Sequence, residues 1–145
     1  MVQGPTVNLV SGLLVACYKD SCDIYKEGLW LHLQNTKARR IGHSSATRED
    51  EVLLIGGRFS NSTEWIPVNG SAAQPGPFDI RHGYRHCTIQ LSDNTLVVTG
   101  GLQTYDYVTE YDLVDGTENA LAPLGQPRYE HACGVYQDAE NQQVS

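Results

Sequence analysis

Apolar residues in this chain fall in short alternating or continuous runs, and no stretch sustains the 3.6-residue spacing of a capped amphipathic helix. Cys87 to Leu91 alternates apolar with polar, Thr95 to Thr99 is a continuous β-rich run, and Tyr107 to Val114 alternates again. Asp93-Asn94 and Asp115-Gly116 between such runs are tight-turn pairs, so the pattern predicts short antiparallel strands joined by hairpins. Helix content is expected to be very low.

The pattern repeats. The run Leu53-Leu54-Ile55 ends on Gly56-Gly57, and Leu96-Val97-Val98-Thr99 ends on Gly100-Gly101, 44 residues later. His43, His86 and His131 head successive segments at steps of 43 and 45 residues. Thr63-Glu64-Trp65 returns as Thr109-Glu110-Tyr111, and Ser21 to Tyr25 reads as a diverged copy of the same element. Each period holds about four predicted strands, and repeated four-stranded units of this length are the mark of a β-propeller.

The order of these features, an apolar run, Gly-Gly, a strand ending in an aromatic, then Arg-x-x-His, resembles a kelch repeat. Arg40 to His43 and Arg128 to His131 fit it, while Gly83 stands where the middle copy should have Arg. "TEW", "TEY" and the cysteine after His131 resemble the extracellular kelch proteins related to the central domain of galactose oxidase. The first copy departs, with Cys17-Tyr18 in place of Gly-Gly and with Trp30 matched only loosely by Phe78 and Leu121. The propeller with Trp-Asp repeats is excluded, since Gly42-His43 offers its start but no Trp-Asp follows.

This resemblance implies an all-β, partial kelch-type propeller of about three four-stranded blades, at residues 6–38, 43–80 and 86–125. Residues 131–145 would begin the next blade. Such an open arc exposes blade faces that remaining blades or a second copy would cover. The paired glycines are then structural, allowing positive φ and close backbone approach. A phosphate loop needs other spacings and a helix. The periodic His43, His86 and His131, and the periodic Glu64 and Glu110, are expected to serve packing or solvation rather than a metal or acid-base chemistry. His32 and His82 lie outside the period and are expected on the solvated surface.

Composition narrows the partners. The 145 residues carry ten Lys and Arg against seventeen Asp and Glu, a formal charge of −7, with the bases scattered along the chain, so no nucleic-acid partner is expected. The longest nearly apolar stretch, Val7 to Cys17, is too short for a spanning helix and lacks preceding basic residues. We therefore expect neither membrane segment nor signal peptide in this sequence, and a start inside a domain despite Met1.

Given the propeller arrangement, Cys17 and Cys22 would face each other across a hairpin, and Cys87 would bridge to Cys133 on the adjacent blade. Two disulfides, with glycosylation acceptors at Asn61 and Asn69, point to a secreted or extracellular protein. No catalytic spacing stands out, and no cofactor or metal is expected. The resemblance implies a non-catalytic module binding a protein or glycan ligand. The alternative is a fragment of a radical-copper oxidase like galactose oxidase, whose crosslinked Cys–Tyr and His ligands cannot be matched here. Recognition is expected in the segments that differ between repeats, Asn69 to Tyr84 and Gln103 to Tyr107, with Tyr105 and Tyr107 as anchors.

Overall fold

The structure, a computed structural model, describes residues 5–102, 104–126, 133, 136–137 and 143–144. Every regular element among them is a β-strand. The first sheet joins β1 (Thr6–Val10), β2 (Leu13–Lys26) and β3 (Leu29–Arg40) in that order. The second runs β4 (Ser44–Arg48), β5 (Glu51–Ile55), β6 (Thr63–Pro67), β7 (Gln74–Pro75). The third runs β8 (Cys87–Gln90), β9 (Thr95–Thr99), β10 (Val108–Asp112), β11 (Glu118–Ala120). Near the C-terminus β12 (Tyr136–Gln137) pairs antiparallel with β13 (Gln143–Val144). Among the described residues all pairings are antiparallel between chain neighbours, and no sheet closes on itself.

The first sheet has three strands where four were expected. The alignment with β1 uses Leu13 to Cys17 of β2, and that with β3 uses Lys19 to Lys26. Five residues of straight strand span roughly 16 Å. Cys17 and Cys22 nevertheless lie 4.1 Å apart at Cα and form a disulfide, so β2 doubles back over Tyr18 to Ser21, where Lys19 takes φ 58°. The connection is so short that the strand is continuous through the fold.

The sheets stack face to face, which explains the continuous apolar runs: central strands bury both faces. Val52, Leu54 and Ile66 of the second sheet pack on Val10, Val15, Cys17, Cys22 and Ile24 of the first. Leu53 and Ile55 point the other way, onto Leu96, Val98 and Tyr111 of the third, with Phe78 stacked on Tyr111 at 4.2 Å between centroids. The first strands lie side by side, linked through side chains: Asn8 Nδ2 donates to Ser45 Oγ at 2.8 Å, and the Thr47 amide donates to Gln90 Oε1 at 3.0 Å. No described residue packs over the far face of the first sheet. Leu14 is 39% exposed there, although Val52 and Leu96, its counterparts by register, are fully buried against a preceding sheet.

Candidate functional site

The paired glycines end β5 and β9 in the left-handed region, with φ of 64° and 121° at Gly56-Gly57 and 63° and 109° at Gly100-Gly101. A side chain there would be strained, and at Gly56 it would also strike Ile80. The turn aims the first glycine's carbonyl into the protein, where it must find a donor. Arg40 Nη1 donates to the Gly56 carbonyl at 2.9 Å. The same guanidinium donates from Nε to Glu64 Oε1 at 2.9 Å, and from Nη1 and Nη2 to the Ser62 carbonyl and hydroxyl. Glu64 also accepts from the Lys37 amide at 2.7 Å. Arg40 and Glu64 are each 1% exposed, so Glu64 is a buried structural partner, whereas Glu110 is half-buried and sits at the register place of Trp65.

At the equivalent place in the third sheet the donor is His82, whose Nδ1 lies 2.8 Å from the Gly100 carbonyl and whose Nε2 lies 3.0 Å from Thr109 Oγ1. The expectation of a solvated His82 is therefore corrected: it is 2% exposed. The reason lies next door. Gly83 occupies the repeat position of Arg40, and a Cβ there would sit 1.6 Å from the Leu102 carbonyl oxygen, so no side chain can start from it. His32 is exposed as expected, beside Asp23 at 3.5 Å.

The repeat histidines join neighbouring sheets. His43 Nε2 lies 2.9 Å from Thr6 Oγ1, and His86 Nε2 lies 2.8 Å from Ser44 Oγ, while His86 Nδ1 donates to the Gly83 carbonyl at 2.7 Å. Thr6 and Ser44 hold the same register place, opposite the last residue before the sheet's second connection. Cys87 holds it in the third sheet and is bonded to Cys133, with 6.2 Å between Cα atoms. A covalent link thus stands where the other sheets offer a hydroxyl. His131 and Arg128 lie outside the described residues. Burial first, then Arg40 and His86, lower the His43 pKa to about 4, and burial lowers that of His82, so both imidazoles are neutral at pH 7. Among the described residues no group of three or more His, Cys, Asp or Glu is placed to hold a metal ion.

The two variable segments meet at one end of the sheets, where the Gly83 amide donates to Thr104 Oγ1 at 2.9 Å and the Leu102 amide to the Tyr84 carbonyl at 2.8 Å. Gln103 lies outside the described residues. Tyr105 and Tyr107 are 39% and 52% exposed, and Tyr107 stands edge-on to His82 with ring centroids 6.1 Å apart. Tyr107, Arg81 and Leu121 border an open cleft of about 200 Å³. Asn61 and Asn69 are both exposed.

One cluster at this end escaped the sequence reading. Phe59, 56% exposed, has the Arg39 and Arg58 guanidinium carbons 5.3 and 5.7 Å from its centroid. Tyr84 has those of Arg58 and Arg85 at 6.0 and 5.4 Å. Its only signal was an Arg-aromatic pair on each side of the glycine and histidine marks, Arg58-Phe59 and Tyr84-Arg85. No family model matches the chain, and no curated protein matches it.

Proposed function

We propose that this chain is a partial kelch-type propeller acting as a non-catalytic binding module for a protein or glycan ligand. Its three sheets are blades. What supports this is a contrast along the repeat: the glycines, the histidines and the buried Arg40–Glu64 pair are engaged in holding sheets together, whereas Tyr105 and Tyr107 are half-exposed on a connection. Tyrosine on a loop offers apolar area with a polar tip at low entropic cost. Two disulfides are compatible with work outside the cell. The uncovered face carrying Val7, Leu9, Leu14 and Trp30 belongs against a further blade or a second copy, which light scattering would register as association.

The test is a screen of glycans and protein ectodomains against the wild type and Tyr105→Ala/Tyr107→Ala. Loss of capture with little change in melting temperature is expected. Retained capture by the double variant, or a large fall in melting temperature, would remove the binding role from these tyrosines. Bound copper with hydrogen peroxide release from sugar alcohols would favour the oxidase alternative instead.

A further inference from the structure

We propose that Arg39, Arg58, Phe59, Tyr84 and Arg85 form a binding site for a sulfated polysaccharide. The site deepens the binding-module function and rests on it, but it uses different residues from Tyr105 and Tyr107.

Scattered in sequence, these five residues are brought together where the end of β3 meets the β5–β6 connection of the second sheet and the β7–β8 connection between the second and third. The Arg58 amide donates to the Ile41 carbonyl at 2.8 Å and the Arg85 amide to the Gly42 carbonyl at 2.7 Å, fixing three separate connections against one another. The result is a run of alternating guanidinium and ring, Arg39, Phe59, Arg58, Tyr84, Arg85. The exposed guanidiniums of Arg39 and Arg58, laid on rings, keep an N–H edge towards solvent for an anion and lose less rotamer freedom when the anion arrives. Arg39 and Arg58 are exposed, and neither joins an ion pair among the described residues.

Charge placement points the same way. Glu49, Asp50, Glu51, Asp93, Asp112 and Asp115 lie at the opposite ends of the strands, so at this end Arg39, Arg58 and Arg85 outnumber the carboxylates on its connections, Asp79 and Asp106. Sulfate is matched bidentately by arginine, and stays ionised at any physiological pH. The exposed ring of Phe59 supplies a flat apolar surface for the C–H face of a pyranose between two sulfates. A bare acidic peptide has no such face to offer. A long nucleic acid would meet the acidic remainder of the protein.

The decisive experiment is calorimetric titration of the full chain with a heparin oligosaccharide and its desulfated counterpart. The sulfated chain should bind at least about tenfold more tightly, and log K should fall against log salt with a slope of about −2, as three neutralised anionic groups imply. The triple variant Arg39→Gln/Arg58→Gln/Arg85→Gln should lose tenfold or more. Phe59→Ala, which keeps every charge, should lose a smaller factor, and Tyr105→Ala/Tyr107→Ala should bind heparin as the wild type does. Unchanged affinity in both the triple and the Phe59 variants would overturn the site. Tighter binding of poly-glutamate or single-stranded DNA than of heparin would overturn the ligand class. If heparin fails to bind while capture dependent on Tyr105 and Tyr107 persists, this inference falls and the binding module stands. If heparin binds through the arginines and no such capture exists, the site stands and the tyrosines lose their role.

Discussion

The junction between the first and second sheets and the junction between the second and third solve one problem with opposite chemistry. In each, a left-handed glycine turns a carbonyl inward. At the first junction a permanent charge answers it: Arg40, locked to Glu64, with His43 alongside. At the second a neutral ring does, His82 shared between the Gly100 carbonyl and Thr109, with His86 satisfied at both nitrogens. The charged junction also leaves a loose end, since His43 Nδ1 has no hydrogen-bond partner among the described residues. The repeat therefore keeps the position of a donor more strictly than its chemistry, and the charged choice makes the first junction the more brittle.

The largest break should come from removing that charge. Arg40→Met strands Glu64 in a dry site, and breaking one partner of a buried pair costs about 3–5 kcal/mol. His82→Gln keeps a donor at the neutral junction and should cost about 1–2 kcal/mol. Urea denaturation of both variants checks the ordering, and Arg40→Met/Glu64→Leu should recover only part of the loss, because it removes the stranded charge but leaves the Gly56 and Ser62 carbonyls and the Lys37 amide without their partners. Equal costs for Arg40→Met and His82→Gln would mean that burial of charge is not what separates the junctions.

The disulfides extend the comparison beyond the third sheet. Cys87 and Cys133 are 46 residues apart in sequence, Cys17 and Cys22 only 5. By loop-closure entropy alone, losing the first bond destabilises by about 4 kcal/mol and losing the second by about 2 kcal/mol. Melting of Cys87→Ala/Cys133→Ala against Cys17→Ala/Cys22→Ala measures this. A larger fall from the short-range pair would show that the doubled-back β2 depends on its bond for shape, beyond chain entropy.

Acid should find the first junction next. The His43 pKa is about 4 in the fold against 6.5 in an unfolded chain, so on acidification the unfolded state takes the proton first. Stability is full above pH 6.5 and falls as pH drops towards 4, by about 3 kcal/mol in all from this group. The lowered pKa of His82 adds in the same direction. Denaturation midpoints at pH 7 and pH 4.5 test it. Because Arg40 is one cause of the His43 shift, Arg40→Met should also raise that pKa, visible in an NMR titration of the ring.

Much of this could be read from the sequence, and the limits have physical causes. Alternation and turn pairs give the strands, because a half-buried pleat demands period two. Gly56-Gly57 and Gly100-Gly101 declared their positive φ because they recur with the repeat, whereas the recurrence of Thr-Glu-aromatic did not carry into the fold: by register Glu64 matches Thr109, and Glu110 matches Trp65. The cysteine pairing followed from the expected arrangement and is what the structure has. His82 was missed because its burial depends on Gly83, where a contact with Leu102 bars the side chain that the repeat would otherwise supply. Local pattern cannot see a backbone contact made across a connection. The Arg39 to Arg85 cluster was missed for a related reason: charge counted along the chain looked scattered, and only the packing of connections gathered it.

The smallest effect concerns the hydroxyls that meet the repeat histidines. Thr6→Val removes the one hydrogen-bond partner His43 has among the described residues, leaving a buried imidazole with neither nitrogen satisfied by them, whereas Ser44→Ala leaves His86 its bond to the Gly83 carbonyl. A net hydrogen bond is worth about 1 kcal/mol, and an unsatisfied buried group costs more than a lost pair. Thr6→Val should therefore cost about 1–2 kcal/mol despite its similar shape. Ser44 also bonds to Thr88, so Ser44→Ala removes both of these hydrogen bonds but orphans no ring on both sides, and about 1 kcal/mol is expected. Thermal melts of the two variants decide it. If Ser44→Ala proves the costlier, the strength of a junction follows how many hydrogen bonds cross it, rather than which polar atoms are left bare when one is removed.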